Sequence, residues 1–132
     1  MLTADTLMAK AAQASASAHA LLDLGDVNGA CNRAYYAMFD AARAALIASG
    51  APVKRDVAKT HSGLIAAFSL YLIKNGPVSP ALGKLLKRAE EIRMVADYKG
   101  DSVDLDDARD IVIQAESFVA ALRSAYITNS GR

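Results

Sequence analysis

Lys59-Thr60-His61 stands at an expected helix start, where backbone N–H groups and the helix dipole favour an anion. An imidazole there can exchange a proton near neutral pH, so Lys59, Thr60 and His61 form one candidate phosphate or nucleotide contact. The plainer alternative makes Thr60 the helix cap and lets His61 pack locally. Arg33, Tyr36 and Asp40 recur at spacings of three and four and so share one side of a helix. Arg33 could bind an anion, form one half of an interface ion pair, or stack on an aromatic ring. Glu90, Glu91, Asp97 and Asp101 lack the ligand spacing of a metal site, and no metal or cofactor is expected. Neither a glycine-rich phosphate loop nor a serine, histidine and aspartate arrangement occurs. His19, isolated on the first helix, is expected at the surface. The single Cys31 cannot form an internal disulfide and reads as a small buried apolar residue.

Five helices must position these side chains. The first is expected over 4–24, with Thr3 as its cap and Leu7, Ala11, Ala14, Ala18, Leu21 and Leu22 on one face. A turn over 25–29 leads to a second helix ending near Ser49. It carries two apolar stripes, one through Ala34, Ala37, Met38, Ala41, Ala45 and Ala48 and one through Cys31, Tyr35, Phe39, Ala42 and Leu46. Two apolar faces place it at the bundle centre or at a subunit contact. A basic loop through Lys54 and Arg55 precedes a third helix over 59–74, with Leu64, Ile65, Phe68 and Leu72 inward. Ser79-Pro80 opens a fourth, ending near Asp97. Asp104 caps a fifth, whose Leu105, Ala108, Val112, Ala115, Val119, Leu122 and Tyr126 step by three and four. Short loops between long helices imply antiparallel neighbours. The expected fold is therefore all-α, an up-and-down bundle of four main helices with a fifth packed alongside. A single domain over 1–127 and a frayed tail over 128–132 complete the expectation.

Composition agrees with helix. Of the 132 residues, 53% are hydrophobic, chiefly alanine and leucine, and tryptophan is absent. No run reaches the roughly 18 apolar residues of a membrane span, and no signal peptide opens the chain, so a soluble, cytoplasmic protein is expected. A net charge of +1 argues against strong, sequence-independent attraction to phosphate backbones. The charges are nevertheless segregated. Nine Lys or Arg against four acids lie over 54–99, and six acids against Arg109 alone over 100–116, a pattern expected of solvated faces and intramolecular pairing.

The run Asn32-Arg33-Ala34-Tyr35-Tyr36-Ala37-Met38-Phe39-Asp40-Ala41-Ala42, then Lys59-Thr60-His61-Ser62-Gly63-Leu64, then Arg93-Met94-Val95-Ala96-Asp97-Tyr98, resembles a prokaryotic branch of the HEPN family. The three motifs keep their order, and the resemblance covers roughly 18–126. It implies an α-helical bundle that commonly dimerises. Many such proteins are paired as toxin with a small nucleotidyltransferase, and active members cut RNA without metal at an R-x(4-6)-H motif. The family's R-N-x-x-x-H arrangement maps onto Arg93 through Tyr98, with Met94 in place of asparagine and Tyr98 in place of histidine. Tyrosine, with an unperturbed pKa of about 10, is a poor proton carrier at neutral pH. A literal R-x(4-6)-H also occurs from Arg55 to His61, in a different helix.

The resemblance thus implies Arg93, His61 and Tyr98 as candidate catalytic residues. Arg33, Tyr36, Lys59, Thr60 and Asp97 are the candidate RNA- or nucleotide-binding residues. A HEPN component of a toxin-antitoxin or defence module is expected, binding RNA or nucleotide, with metal-independent endoribonuclease activity as its catalytic form. The alternative is a non-catalytic interaction protein that holds a nucleotidyltransferase partner. A homodimer is expected in either case, since the second helix carries more apolar surface than one core needs to cover.

Overall fold

A computed structural model describes residues 3–98 and 103–127. The expected tail over 128–132 and Asp101 fall outside the described residues. The elements are α1 (Ala4–Asp23), α2 (Val27–Ser49), a single turn α3 (Arg55–Ala58), α4 (His61–Ala67) running straight into a π-helical segment (Phe68–Lys74), α5 (Pro80–Tyr98) and α6 (Leu105–Tyr126). No strand occurs among the described residues, and the fold is an all-α bundle.

The helix ends follow from local chemistry. Thr3 and Thr6 close a reciprocal capping box at the start of α1. The Asp26 carboxylate accepts from the Gly29 amide at 2.9 Å, so α2 begins at Val27 and takes in residues expected in the turn. Gly50, at φ 74°, ends α2 in the left-handed region that glycine tolerates best. Arg55, expected in a loop, instead opens α3. Asp104 holds the cap position of α6, yet its side chain makes no capping hydrogen bond.

α2 occupies the bundle centre and packs against α1, α5, α6 and the π segment. Both of its apolar stripes are buried within the chain itself, Cys31, Ala34, Tyr35, Met38, Ala42 and Ala45 among them, while Ala48 is exposed. The homodimer expectation therefore gains nothing from these two faces. One continuous core joins Leu7 and Met8 of α1, Leu64 of α4, Phe68 and Leu72 of the π segment, Leu86 of α5, and Ile111, Phe118 and Leu122 of α6. Of the inward positions expected on the last helix, Leu105 is 42% exposed, because it lies in the first turn beyond the reach of the facing helices. The basic and acidic blocks do meet: Arg88 of α5 pairs with Asp110 at 2.6 Å and with Asp107 at 3.6 Å on α6.

Candidate functional site

Tyr35 and Tyr36, adjacent on α2, form the hub of a polar and aromatic cluster. Successive helical residues diverge by about 100°, yet both rings reach the same two neighbours, His61 and Arg93. The two tyrosine rings stack edge to face with centroids 5.1 Å apart. On one side His61, the first residue of α4, shares a 2.7 Å hydrogen bond between Nδ1 and the Tyr35 hydroxyl. Its ring lies 5.5 Å from Phe39 and 6.0 Å from Tyr36. On the other side the Arg93 guanidinium, from α5, lies 5.1 Å from the centre of the Tyr35 ring and 5.9 Å from that of Tyr36. The structure thus brings His61 and Arg93 to the same two tyrosines from different helices.

Arg93 is only 3% exposed and needs compensation for its charge. Asp97, one turn later on α5, accepts from Arg93 Nη1 at 3.2 Å and from Asn32 Nδ2 of α2 at 3.1 Å. Tyr98 closes over the guanidinium at 5.7 Å while remaining 69% exposed itself. Burial opposes the Arg93 charge, but hydrogen bonds to Tyr98 and Asp97, with Tyr36 and Tyr35 alongside, hold its pKa above the ordinary arginine value. Its Nε has no hydrogen-bond partner among the described residues. Burial, reinforced by Glu90, drives the Tyr35 hydroxyl well above the usual tyrosine range, so it keeps its proton at neutral pH. When it donates to His61 Nδ1, the ring proton rests on Nε2.

Thr60 is the cap of α4, its hydroxyl accepting from the Gly63 amide and donating to the Val57 carbonyl, both at 3.0 Å. A Cβ at Gly63 would collide with that same carbonyl and hydroxyl, so the tight α3–α4 turn requires glycine there. Lys59 is exposed. Among the described residues no side-chain hydrogen bond joins the literal pair Arg55 and His61, and the histidine bonds Tyr35 instead. Arg55 lines a cavity of about 260 Å³ with Arg43, Leu46, Ile47 and Ala51. Arg33 leans over the far face of Tyr36 at 5.7 Å and opens onto a groove between α1 and α2. His19 is not alone, since its Nε2 meets Glu116 Oε1 at 3.2 Å. No group of three or more metal-ligating side chains occurs among the described residues.

Two participants had no role assigned from sequence. Tyr35 orients His61, and Asn32 ties Asp97 to α2. Both lie inside the Asn32–Phe39 run, but their partners stand 26 and 65 residues away, and local spacing carries no such information.

An all-helical bundle whose central helix gathers an arginine and a histidine from two later helices around paired tyrosines defines a class of small helical domain. The chain belongs to the HEPN family, whose domain model matches residues 4–125. A protein of Methanocaldococcus jannaschii named "Putative toxin" is 33% identical over 93 residues, 70% of this chain and 66% of that protein's length, just under two thirds. A UPF0332 protein of Thermotoga maritima is 36% identical over 73% of this chain and 70% of its own length. Another, from Gloeobacter violaceus, is 32% identical over 86% of this chain and 87% of its own.

Proposed function

We propose that this protein is the HEPN component of a toxin-antitoxin type module and that it binds RNA through phosphate at the tyrosine cluster. The observation that carries this reading is the convergence of His61 and Arg93 on Tyr35 and Tyr36. Its relation to a protein bearing the name "Putative toxin" supports the module assignment. Lys59 and the exposed edge of His61 offer a first phosphate contact, and Tyr98 and Tyr36 offer rings on which bases can stack. Arg93 would then exchange Asp97 for phosphate, a charge-assisted contact of the same geometry. In the other tautomer, with Nδ1–H donating to the Tyr35 oxygen, His61 Nε2 is free to take a proton from a ribose hydroxyl, with Arg93 stabilising the charge that develops on phosphorus-bound oxygen.

In the arrangement seen, Arg93 is already matched by Asp97 and covered by Tyr98, so binding should exceed cleavage in the isolated protein. Anisotropy titration of a fluorescent single-stranded RNA should show binding that weakens from 50 to 200 mM salt and that Arg93→Ala reduces. Absence of binding at low salt, or indifference to Arg93→Ala, overturns the reading. Strong RNA cleavage in EDTA, abolished by His61→Ala and kept in Tyr98→Phe, would instead make His61 and Arg93 a working catalytic pair.

The second reading, an inert component holding a nucleotidyltransferase, is favoured by one feature. Val57 and Leu70, 43% and 42% exposed, border a mostly apolar groove with Pro52, Ala66 and Tyr71. Wild-type RNA binding with Val57→Asp and Leu70→Asp would separate this surface from the tyrosine cluster.

A further inference from the structure

Arg55 takes no part in the tyrosine cluster and instead lines the cavity of about 260 Å³ between the end of α2 and α3. The local chain explains why that space stays open. Gly50 turns the chain in the left-handed region, and the Ala51 amide reaches back to the Leu46 carbonyl at 3.3 Å, closing the end of α2. The Val53 amide then donates to the Ala51 carbonyl at 2.8 Å, a tight bend that leads into α3. α3 is a single turn with no buried member, and it packs on α4 rather than on α2. The gap between α2 and α3 is not filled by the chain's own side chains.

The lining offers two kinds of surface. Leu46, Ile47, Val53 and Ala58 form an aliphatic wall, in which Leu46 is 3% exposed and Ile47 is left 50% exposed. Arg43 and Arg55 are its charged side chains, and neither forms a side-chain hydrogen bond or an ion pair among the described residues. Arg43, Leu46 and Ile47 stand three and four apart, so one end of α2 presents the arginine and the wall together. Arg55 comes from the other side, on α3. A guanidinium only donates, and its planar fork matches an acid. No other lining side chain donates or accepts a hydrogen bond, so nothing there would read a sugar or a base. The complement is an anion whose remainder is apolar. Asp40, one turn before Arg43, is within reach of its charge, and Asp56 adjoins Arg55 in the chain. A single negative charge therefore balances the rim better than a doubly charged phosphate.

We propose that this cavity binds a small amphipathic carboxylate, its aliphatic chain against Leu46, Ile47 and Val53 and its head group held by Arg43 and Arg55. Such a ligand covers Ile47 and gives both guanidinium forks a partner. It also bears on the tyrosine cluster. Ala58, in the wall, stands two residues before Thr60, whose hydroxyl donates to the Val57 carbonyl and accepts from the Gly63 amide. A ligand that bridges Arg43 and Arg55 ties α3 to α2 and so fixes the turn from which His61 projects. The site stands independently of the RNA reading, since the cavity lies outside the tyrosine cluster.

Amide NMR titration of the whole chain with sodium octanoate tests it. The Ala51, Val53 and Ala58 resonances should shift and saturate with a Kd of about 1 mM or tighter, and the His61 imidazole resonances should follow the same isotherm. Each methylene added from butanoate to octanoate should tighten binding by about two- to fourfold. Octanol and inorganic phosphate each lack one half of the recognised chemistry and should bind at least about tenfold more weakly than octanoate. Arg43→Gln combined with Arg55→Gln should weaken octanoate by about tenfold or more. Ala58→Trp, which fills the cavity and keeps both arginines, should abolish binding. Should either variant lose its helicity by circular dichroism, the chain-length series and the octanol and phosphate comparisons decide on the wild type alone. No saturable shift, a flat chain-length series, octanol or phosphate matching octanoate, or full binding by a folded variant would each overturn the site. Octanoate binding that leaves His61 unmoved would overturn its coupling to the tyrosine cluster.

Discussion

Tyr35 is the residue on which the candidate site turns, because its ring supports Arg93 and its hydroxyl fixes His61. Tyr35→Phe keeps the ring and removes the hydrogen bond, leaving a part-buried imidazole nitrogen unanswered. Urea unfolding should show a loss of about 1–2 kcal/mol. A double-mutant cycle with His61→Ala should assign most of it to that pair, and a coupling near zero would mean that the bond contributes nothing. Cys31, 1% exposed, carries a prediction in pH. Burial, with Asp107 and Asp97 adding to it, pushes its thiol up from 9.0 to about 11. The folded state therefore holds a proton that the unfolded chain releases sooner. The stability in question is complete below about pH 9 and falls as pH rises toward 11, by about 2 kcal/mol. Cys31→Ala should flatten this part of the decline between pH 8 and 10.5, whatever its effect at neutral pH. An unchanged slope would remove Cys31 as its source.

At the scale of the element, the α3–α4 turn and α6 make contrasting demands. Thr60→Ala removes the α4 cap and should cost about 1 kcal/mol. Gly63→Ala should cost more, because the added methyl meets the Val57 carbonyl and the Thr60 hydroxyl together. Both should broaden the His61 imidazole resonances in NMR spectra, since the turn sets where α4 begins. In α6, Leu122→Ala should cost about 2–5 kcal/mol, the residue being 1% exposed. A loss under about 0.5 kcal/mol would fit a surface position instead. Helix existence, caps and most inward faces were legible in the sequence, because α6 and α1 write them as apolar residues three and four apart. Thr60 as cap and Pro80 in the first turn of α5 were equally plain. α3 was hidden, since four residues with no buried member leave no periodicity to read. The site was half legible. His61, Thr60 and Arg93 stood out by type and motif, whereas the Asn32–Asp97 and Tyr35–His61 bonds exist only once α2 has α4 and α5 beside it. Nor could spacing show that α2 buries both stripes within its own chain.

For the molecule as a whole, one core spanning α1, α2, α4, α5 and α6 should unfold as a unit. Far-UV circular dichroism and tyrosine fluorescence should give coincident thermal transitions, and separated midpoints would divide the bundle into independent parts. No helix among the described residues is long and apolar enough to cross a membrane. The π-helical run places an unusual constraint on this single core, one of angular phase. In an α-helix each four-residue step overshoots a full turn by about 40°, so side chains so spaced drift around the axis. Leu64, Phe68 and Leu72 are four apart and all fully or almost fully buried. The wider i to i+5 winding from Phe68 onward slows that drift and keeps Leu72 in line with the two residues before it. Such a winding is what one extra residue inside an α-helix produces, so the segment stores an insertion without rotating the chain beyond Lys74. Removing Ser69 should therefore let the run relax to α geometry while Val78 and the entry to α5 keep their phase with the core. The helix itself would become more regular with little change in the thermal midpoint, and a large loss of stability would mean that the winding does not store an insertion.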